Sequence, residues 1–246
     1  MKYASIILIH YSKYDDFNGL RAEKRGSKIT RSETIKITIE TLQKNTKYPY
    51  ELIVVDNGGD PDDSNWLLDK LRKGVITTYI RNKDNLHFAY GRNQALQLAT
   101  GNYICICDND IEFGQGWLTW ATNVLEKYDQ KLIASPVMTP DKNKDRYRLG
   151  ELDGNRLNKK AGSACFVVKR ESMAEIGYFP HDVIGGTYWH NSMIEKGYKV
   201  ILPPKNLAEH IGFGGGLNIY IPIKVEKTLS DGTKINVKEK IWTMFQ

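Results

Sequence analysis

The chain is poor in cysteine and has no long hydrophobic run, and each shortage narrows what it can be. Its three cysteines, Cys105, Cys107 and Cys165, are odd in number and lie inside apolar segments. They read as reduced, packed thiols of a cytoplasmic protein and not as a disulfide framework. No apolar stretch approaches the ~20 residues that cross a bilayer. The N-terminus offers one lysine and a short apolar stretch, less than a signal-peptide core requires. No segment interleaves basic and aromatic residues at a regular spacing, so nucleic acid is not an expected partner. Internal repeats and low-complexity tracts are also missing.

What remains is an ordinary globular composition. With 246 residues, 41% hydrophobic and 26% charged, the chain suits one sizeable α/β domain and is short for two. A net charge of +6 favours an anionic ligand or an acidic membrane face, although most of these lysines read as solvated surface.

Strand and helix signals alternate, which predicts a mostly parallel central sheet with helices on both faces. Apolar, β-branched runs place buried strands at 5–9, 52–55, 75–80, 103–107, 132–138, 163–168 and 198–202. Helical periodicity marks 32–45, 66–72, 89–99, 117–128, 170–176 and 188–196. Gly101 is expected to close the third of these helices in a left-handed conformation, as Gly177 and Gly197 close the last two. Residues 12–31 form an unusually long strand-to-helix connection, and 141–160 a second loop or a hairpin. The main domain is expected over 1–217. A C-terminal appendage follows over 218–246, where alternating isoleucines and Asp231-Gly232 suggest a β-hairpin.

The strongest chemical signal is Asp108-Asn109-Asp110, directly after the buried run Tyr103-Ile104-Cys105-Ile106-Cys107. Two carboxylates at i and i+2 there sit at a strand's carboxyl end, where open α/β sheets bind ligands. Magnesium and manganese take one or two protein carboxylates together with substrate phosphates. A turn that uses Asp and Asn only for backbone hydrogen bonds is the competing explanation. Asp56-Asn57-Gly58-Gly59, also at a strand end, puts a carboxylate beside glycines that admit a ligand to the backbone. The segment from Asn85 to Ala95 opens a helix, whose N-terminus favours anions. Within it Arg92 suits either a phosphate or the helix surface, and Asn93 a cap or anchor.

In their order these pieces resemble glycosyltransferase family 2, with its A-type fold. That family has an apolar first strand, then Val-Val-Asp-Asn-Gly, an Asn-rich helix start, a strand ending in Asp-x-Asp and a Gly-closed strand-helix unit. The resemblance spans roughly residues 3–216. It implies that Asp56 bonds the base or ribose of a uridine-diphosphate-sugar donor, and that Asn85, Arg92 and Asn93 line the nucleotide pocket. Asp108 would touch donor sugar or ribose, and Asp110 would ligate a manganese or magnesium ion, with His210 as an additional ligand. His10 and Tyr11 fall where the family clasps the base. The implied partners are the nucleotide sugar and a glycan or lipid-linked acceptor, which leaves room for peripheral membrane contact. The glycine-rich stretch after His210 would wrap the diphosphate.

One family element is missing. An acid pair normally precedes the last long helix and supplies the general base of inverting enzymes, but Thr187 and Tyr188 stand in its place. Asp182 and His190 are the remaining candidates for a base. Trp189 reads as core packing or as a sugar platform. Two rival readings follow: a non-catalytic nucleotide or glycan binding module, and a sugar-nucleotide nucleotidyltransferase. The second would want a Gly-x-Gly-x-Arg loop after the first strand, where His10-Tyr11-Ser12-Lys13 stands instead.

Overall fold

The structure, a computed structural model, describes residues 1–12, 29–128, 131–137, 147–160, 164–180, 185–211, 220–228 and 234–242. Asp182, most of the 12–31 connection, the glycines after His210 and the Asp231-Gly232 turn lie outside the described residues.

Nine strands form one sheet. The first strands are β1 (Ala4–His10), β2 (Tyr50–Asn57), β3 (Thr78–Asn82) and β4 (Tyr103–Asp108). Then come β5 (Ile111–Phe113), β6 (Leu132–Ala134), β7 (Arg148–Leu152), β8 (Asn155–Asn158), β9 (Cys165–Lys169) and β10 (Lys199–Leu202). The order across the sheet is β3-β2-β1-β4-β9-β6-β10-β8-β7, with β5 standing apart from it. β3, β2, β1 and β4 pair in parallel, as do β6 and β10, whereas β9 is antiparallel to both β4 and β6. The β7–β8 hairpin extends the far edge through the antiparallel β8–β10 pair. Seven of the nine strands therefore run one way, with β9 and β8 reversed.

Alternation along each strand divides the core into two layers. Ile6, Leu8, Leu52, Val54 and Cys105 face α1 (Arg31–Asn45), α2 (Pro61–Arg72) and α4 (Trp117–Lys127) through Ile35, Ile39, Leu67, Trp117 and Leu118. Ile7, Ile53, Val55, Ile104 and Ile106 face the opposite way. They meet α3 (His87–Leu98), α5 (Arg170–Ile176) and α6 (Gly185–Glu195) through Ala95, Met173, Trp189 and Met193. The three cysteines are free and buried, and burial pushes each thiol well above its usual range, as expected of packed, reduced thiols.

Several boundaries differ from the sequence reading for local reasons. α2 begins at Pro61, five residues early, because Pro at the first turn and Asp62 and Asp63 behind it are good helix-start residues. β3 is displaced to Thr78–Asn82, with Thr77 N–H donating to Leu52 O just ahead of it. Gly101 is not left-handed. Its role is close approach: a Cβ there would lie 2.6 Å from Ser5 N and 2.7 Å from Ala4 C. Gly101 N–H donates to Ser5 Oγ at 2.8 Å, so the α3–β4 connection is pressed onto the main chain of β1. Gly101→Ala is expected to destabilise the chain by roughly 1–3 kcal/mol or more, since backbone atoms cannot step aside as a side-chain tip can. The midpoint of urea unfolding measures this, and an unchanged midpoint would refute the contact.

The chain divides into two compact units, Met1–Gly214 and Gly215–Gln246. The second contains β12 (Tyr220–Thr228) and β13 (Lys234–Trp242), antiparallel from the Tyr220–Trp242 pair to the Thr228–Lys234 pair. Among the described residues no helix is long and apolar enough to cross a membrane.

Candidate active site

The site is built at the carboxyl end of β4. Its buried run, zipped between β1 and β9, delivers Asp108 to the sheet edge, where the chain turns through Asn109 and Asp110 into β5. β5 pairs with β11 (Ala208–His210) in antiparallel register, with Ile111 opposite His210. That pairing brings His210 to the turn from about 100 residues away in sequence, a link that neither short strand advertises by itself.

Asp108, Asp110 and His210 each bring a ligand atom to within 4.8 Å of the others. His210 Nε2 stands 3.0 Å from Asp110 Oδ1 at ion-pair distance, yet that buried oxygen accepts no well-aligned hydrogen bond. Two ligands at right angles on an octahedral ion, each about 2.1 Å from it, are also roughly 3.0 Å apart. Two carboxylates and one imidazole are a donor set that manganese or magnesium accepts. The residues therefore fit a hard divalent cation. Burial lowers the His210 pKa, but the carboxylates of Asp110 and Asp108 outweigh it and the net shift is upward.

Arg92 governs the other carboxylate. Its Nη2 donates to Asp108 Oδ1 at 2.7 Å, and its guanidinium lies 5.1 Å from the Phe88 ring and 5.2 Å from that of Phe179. Burial pushes the Asp108 pKa up, the Arg92 charge pulls it down and Asp110 pushes it up again, and the net result is about 6. In this arrangement Arg92 holds the first acid of the turn; it neither faces bulk water nor lies on the helix surface.

The other sequence-derived candidates are placed as follows. Asp56 is fully buried and accepts from Gly59 N–H, the Ser64 hydroxyl and the Tyr79 hydroxyl, so a ligand would reach it only past these donors. A Cβ on Gly58 would strike the main chain of Asp84 at 2.9 Å, so the close approach there is made by the protein's own chain. Asn85 Oδ1 accepts from Asn57 Nδ2 and from His87 N–H, tying the end of β2 to the start of α3. Asn93 clamps the main chain of Phe179 in both directions, at 2.8 and 3.0 Å, an anchoring role. Tyr11 is half-buried, and its carbonyl accepts from Arg31. Trp189 is core: it stacks on Phe166 and Phe179 at 4.8 and 5.1 Å and donates to Gly177 O. His190 packs in T-shaped contact with Phe166 and Trp189 and stands outside the Asp108–Asp110–His210 cluster.

His10 occupies a place that the sequence did not indicate. It is fully buried on the α1–α2 side of β1, its Nε2 3.0 Å from Asp63 Oδ2 and its Nδ1 2.9 Å from Asn109 Nδ2. Neither Asp63 nor Asn109 is among the ligand candidates that the sequence supplies. The start signal of α2 was the available clue for Asp63; nothing local marked Asn109 beyond its place between two acids.

The sequence profile described as Glycosyl transferase family 2 matches residues 29–201, which include the Asp-Asn-Asp turn and stop short of His210. A Drosophila melanogaster protein named as polypeptide N-acetylgalactosaminyltransferase 13 is 31% identical over 142 residues, covering 52% of this chain and 24% of its own. The hyaluronan synthase of Pasteurella multocida is 30% identical over 106 residues, covering 42% of this chain and 11% of its own. This chain thus matches at most about a quarter of the length of these curated relatives. Among solved structures, GalNAc-T7 with UDP, GalNAc and Mn2+ superposes with a TM-score of 0.64 at 16% identity, over 91% of this chain and 46% of that one. A mannosyltransferase from Pyrobaculum calidifontis in complex with GDP-Man and Mn2+ also scores 0.64 at 16% identity, over 87% and 58%. At such identities the likeness is one of fold, and the fold is that of A-type glycosyltransferases.

Proposed function

This chain belongs to glycosyl transferase family 2, and from that premise we propose that it transfers a sugar from a uridine-diphosphate-type donor to an acceptor hydroxyl. The observation that carries the reading is the convergence of Asp108, Asp110 and His210 at the carboxyl end of the sheet, with a buried Asp110 oxygen that accepts no hydrogen bond. Asp110 and His210 would hold a divalent metal, with Asp108 beside them and fixed by Arg92. When bound, such an ion neutralises charge on the departing diphosphate. Support for a uridine donor and manganese comes from GalNAc-T7, solved with UDP and Mn2+; the mannosyltransferase, solved with GDP-Man and Mn2+, supports the metal but not the base.

In the reaction the acceptor oxygen forms a bond to the anomeric carbon as the bond from that carbon to the diphosphate breaks. The acceptor proton passes to a base, and the nucleoside diphosphate leaves. Asp182 and His190 are the proposed candidates for that base in an inverting transfer. The acceptor is a glycan or a lipid-linked hydroxyl, taken at the face that α6 borders.

The test is release of nucleoside diphosphate from UDP-sugars and from GDP-mannose, with and without manganese, in the presence of a panel of oligosaccharide acceptors. Manganese-dependent release with a UDP-sugar bears the reading out. Release from GDP-mannose alone would overturn the uridine assignment. Tight nucleotide binding with no turnover on any acceptor would favour a non-catalytic binding module, consistent with the missing acid pair and with His190 packed on aromatic rings.

A further inference from the structure

His10 links two parts of the molecule through a single ring. One is the start of α2, through Asp63; the other is the apex of the acidic turn, through Asn109. Both of its ring nitrogens are engaged, and the ring is wholly buried. Asp63 is itself buried and also accepts from Ser32 Oγ of α1 at 2.7 Å. Burial alone would raise its pKa, but hydrogen bonds from His10, Ser12 and Ser32 outweigh that and hold it at about 2.

The chemistry of this chain runs in one direction. A carboxylate only accepts, so the imidazole nitrogen facing Asp63, Nε2, must carry the hydrogen. In the tautomer with that single N–H, Nδ1 presents a lone pair, and Asn109 Nδ2 stands 2.9 Å from it. The NH2 of Asn109 is the group that meets it, so the amide is oriented by a carboxylate two residues removed along the hydrogen-bond path. The main chain of the turn is tied elsewhere: Asp108 N–H donates to Ala164 O at 2.7 Å, and Ile211 N–H to Asp110 O at 2.9 Å. Asn109 lies between these two ties, and its side chain fastens the apex to β1.

We propose that Asp63, His10 and Asn109 form a positioning relay that presets the turn so that Asp108 and Asp110 meet His210. This rests on the metal-site reading above, and deepens it. The relay does not touch the ligand. It removes freedom from the turn, so that the entropy of arranging two like-charged carboxylates is met on folding and not at binding. Partners of this kind outside the ligand sphere typically change metal affinity by about 10- to 100-fold.

The test is Mn2+ binding, followed by loss of the free-ion signal in electron paramagnetic resonance, for the unaltered full chain and for Asn109→Ala, with thermal unfolding alongside. Asn109 is half-buried in a surface turn, so its truncation leaves the His10–Asp63 bond and the core in place. The expected result is Mn2+ affinity lowered about 10- to 100-fold, with the metal-free chain still folding cooperatively and its stability lowered by no more than leaving His10 Nδ1 without its partner costs. His10→Ala should lower affinity by at least as much while also destabilising the fold. His10→Ala combined with Asn109→Ala should bind no worse than His10→Ala alone, because the two act through one bond. Equal Mn2+ affinity of Asn109→Ala and the unaltered chain would overturn the relay while leaving the metal site standing. Additive losses in the double variant would overturn it too. An unaltered chain that binds no Mn2+ would overturn the metal site and the relay together.

Discussion

Asp110→Asn is expected to abolish metal-dependent nucleotide binding and to lower kcat/KM by about 1,000-fold or more, while leaving the stability of the fold little changed. The change is nearly isosteric, so packing around the turn is preserved. What it removes is charge at an oxygen that accepts no hydrogen bond and faces His210 Nε2 at 3.0 Å. An amide there is a weak ligand for a hard cation, and a bound metal contributes several kcal/mol to a developing charge. Each ~1.4 kcal/mol is tenfold in rate, which gives the expected scale. The stability arm is small by comparison. Asp110 repels Asp108 and attracts His210, so removing its charge relieves one interaction and loses the other in the metal-free chain. Unfolding temperature should therefore change little without metal, and the upward shift caused by Mn2+ in the unaltered chain should vanish. Calorimetric titration of UDP with and without Mn2+ measures the binding arm. Undiminished metal-dependent binding in Asp110→Asn would sink the site; a collapse in stability would assign the residue a structural role instead.

The site was legible in sequence to the extent that it depends on single strands. The apolar run of β4 and the acids that follow it are local, and strand-end placement follows from the run alone. Pairing is another matter. His210 reaches Asp110 through β5 and β11, three residues each, whose register is set by contacts far apart in sequence. The antiparallel insertion of β9 was invisible for a similar reason: a strand buried on both faces is apolar throughout, whichever way it runs. His10 shows information present and unused. Ala4, Ile6, Leu8 and His10 share one parity along β1, so whatever packs against Leu8 also packs against His10. That face is covered by α1 and α2, which places the ring in the interior. Gly101 shows a glycine with two possible reasons, a left-handed backbone or a close neighbour, which only the neighbour's position separates.

Arg92→Met carries the other large effect, and its size should depend on pH. Methionine matches the slot between Phe88 and Phe179 in length and apolar character, so the change isolates the guanidinium charge. Removing one partner of a fully buried ion pair costs about 3–5 kcal/mol. Arg92 is 6% exposed but Asp108 is 36% exposed, so water recovers part of the loss and roughly 1–3 kcal/mol is expected near neutral pH. The pH window follows from Asp108. Its folded pKa, about 6, already exceeds the ordinary 3.8, and Arg92 is among the influences holding it down. Without Arg92 it moves higher still. A carboxyl whose folded pKa is raised costs nothing when protonated in both states. Its cost grows as pH rises from the unfolded value to the folded one and is complete above it. The two chains therefore diverge only above the folded value of the unaltered chain. The variant and the unaltered chain should thus be nearly equal in stability at about pH 4, and the gap should open above pH 6. Mn2+ should narrow that gap, because a cation beside Asp108 replaces the missing positive charge. Urea unfolding at pH 4.5 and pH 7.5, each with and without Mn2+, reads all of this at once. A gap of equal size at both pH values would show that Arg92 acts by filling space between two rings, and would remove it from the electrostatics of the site.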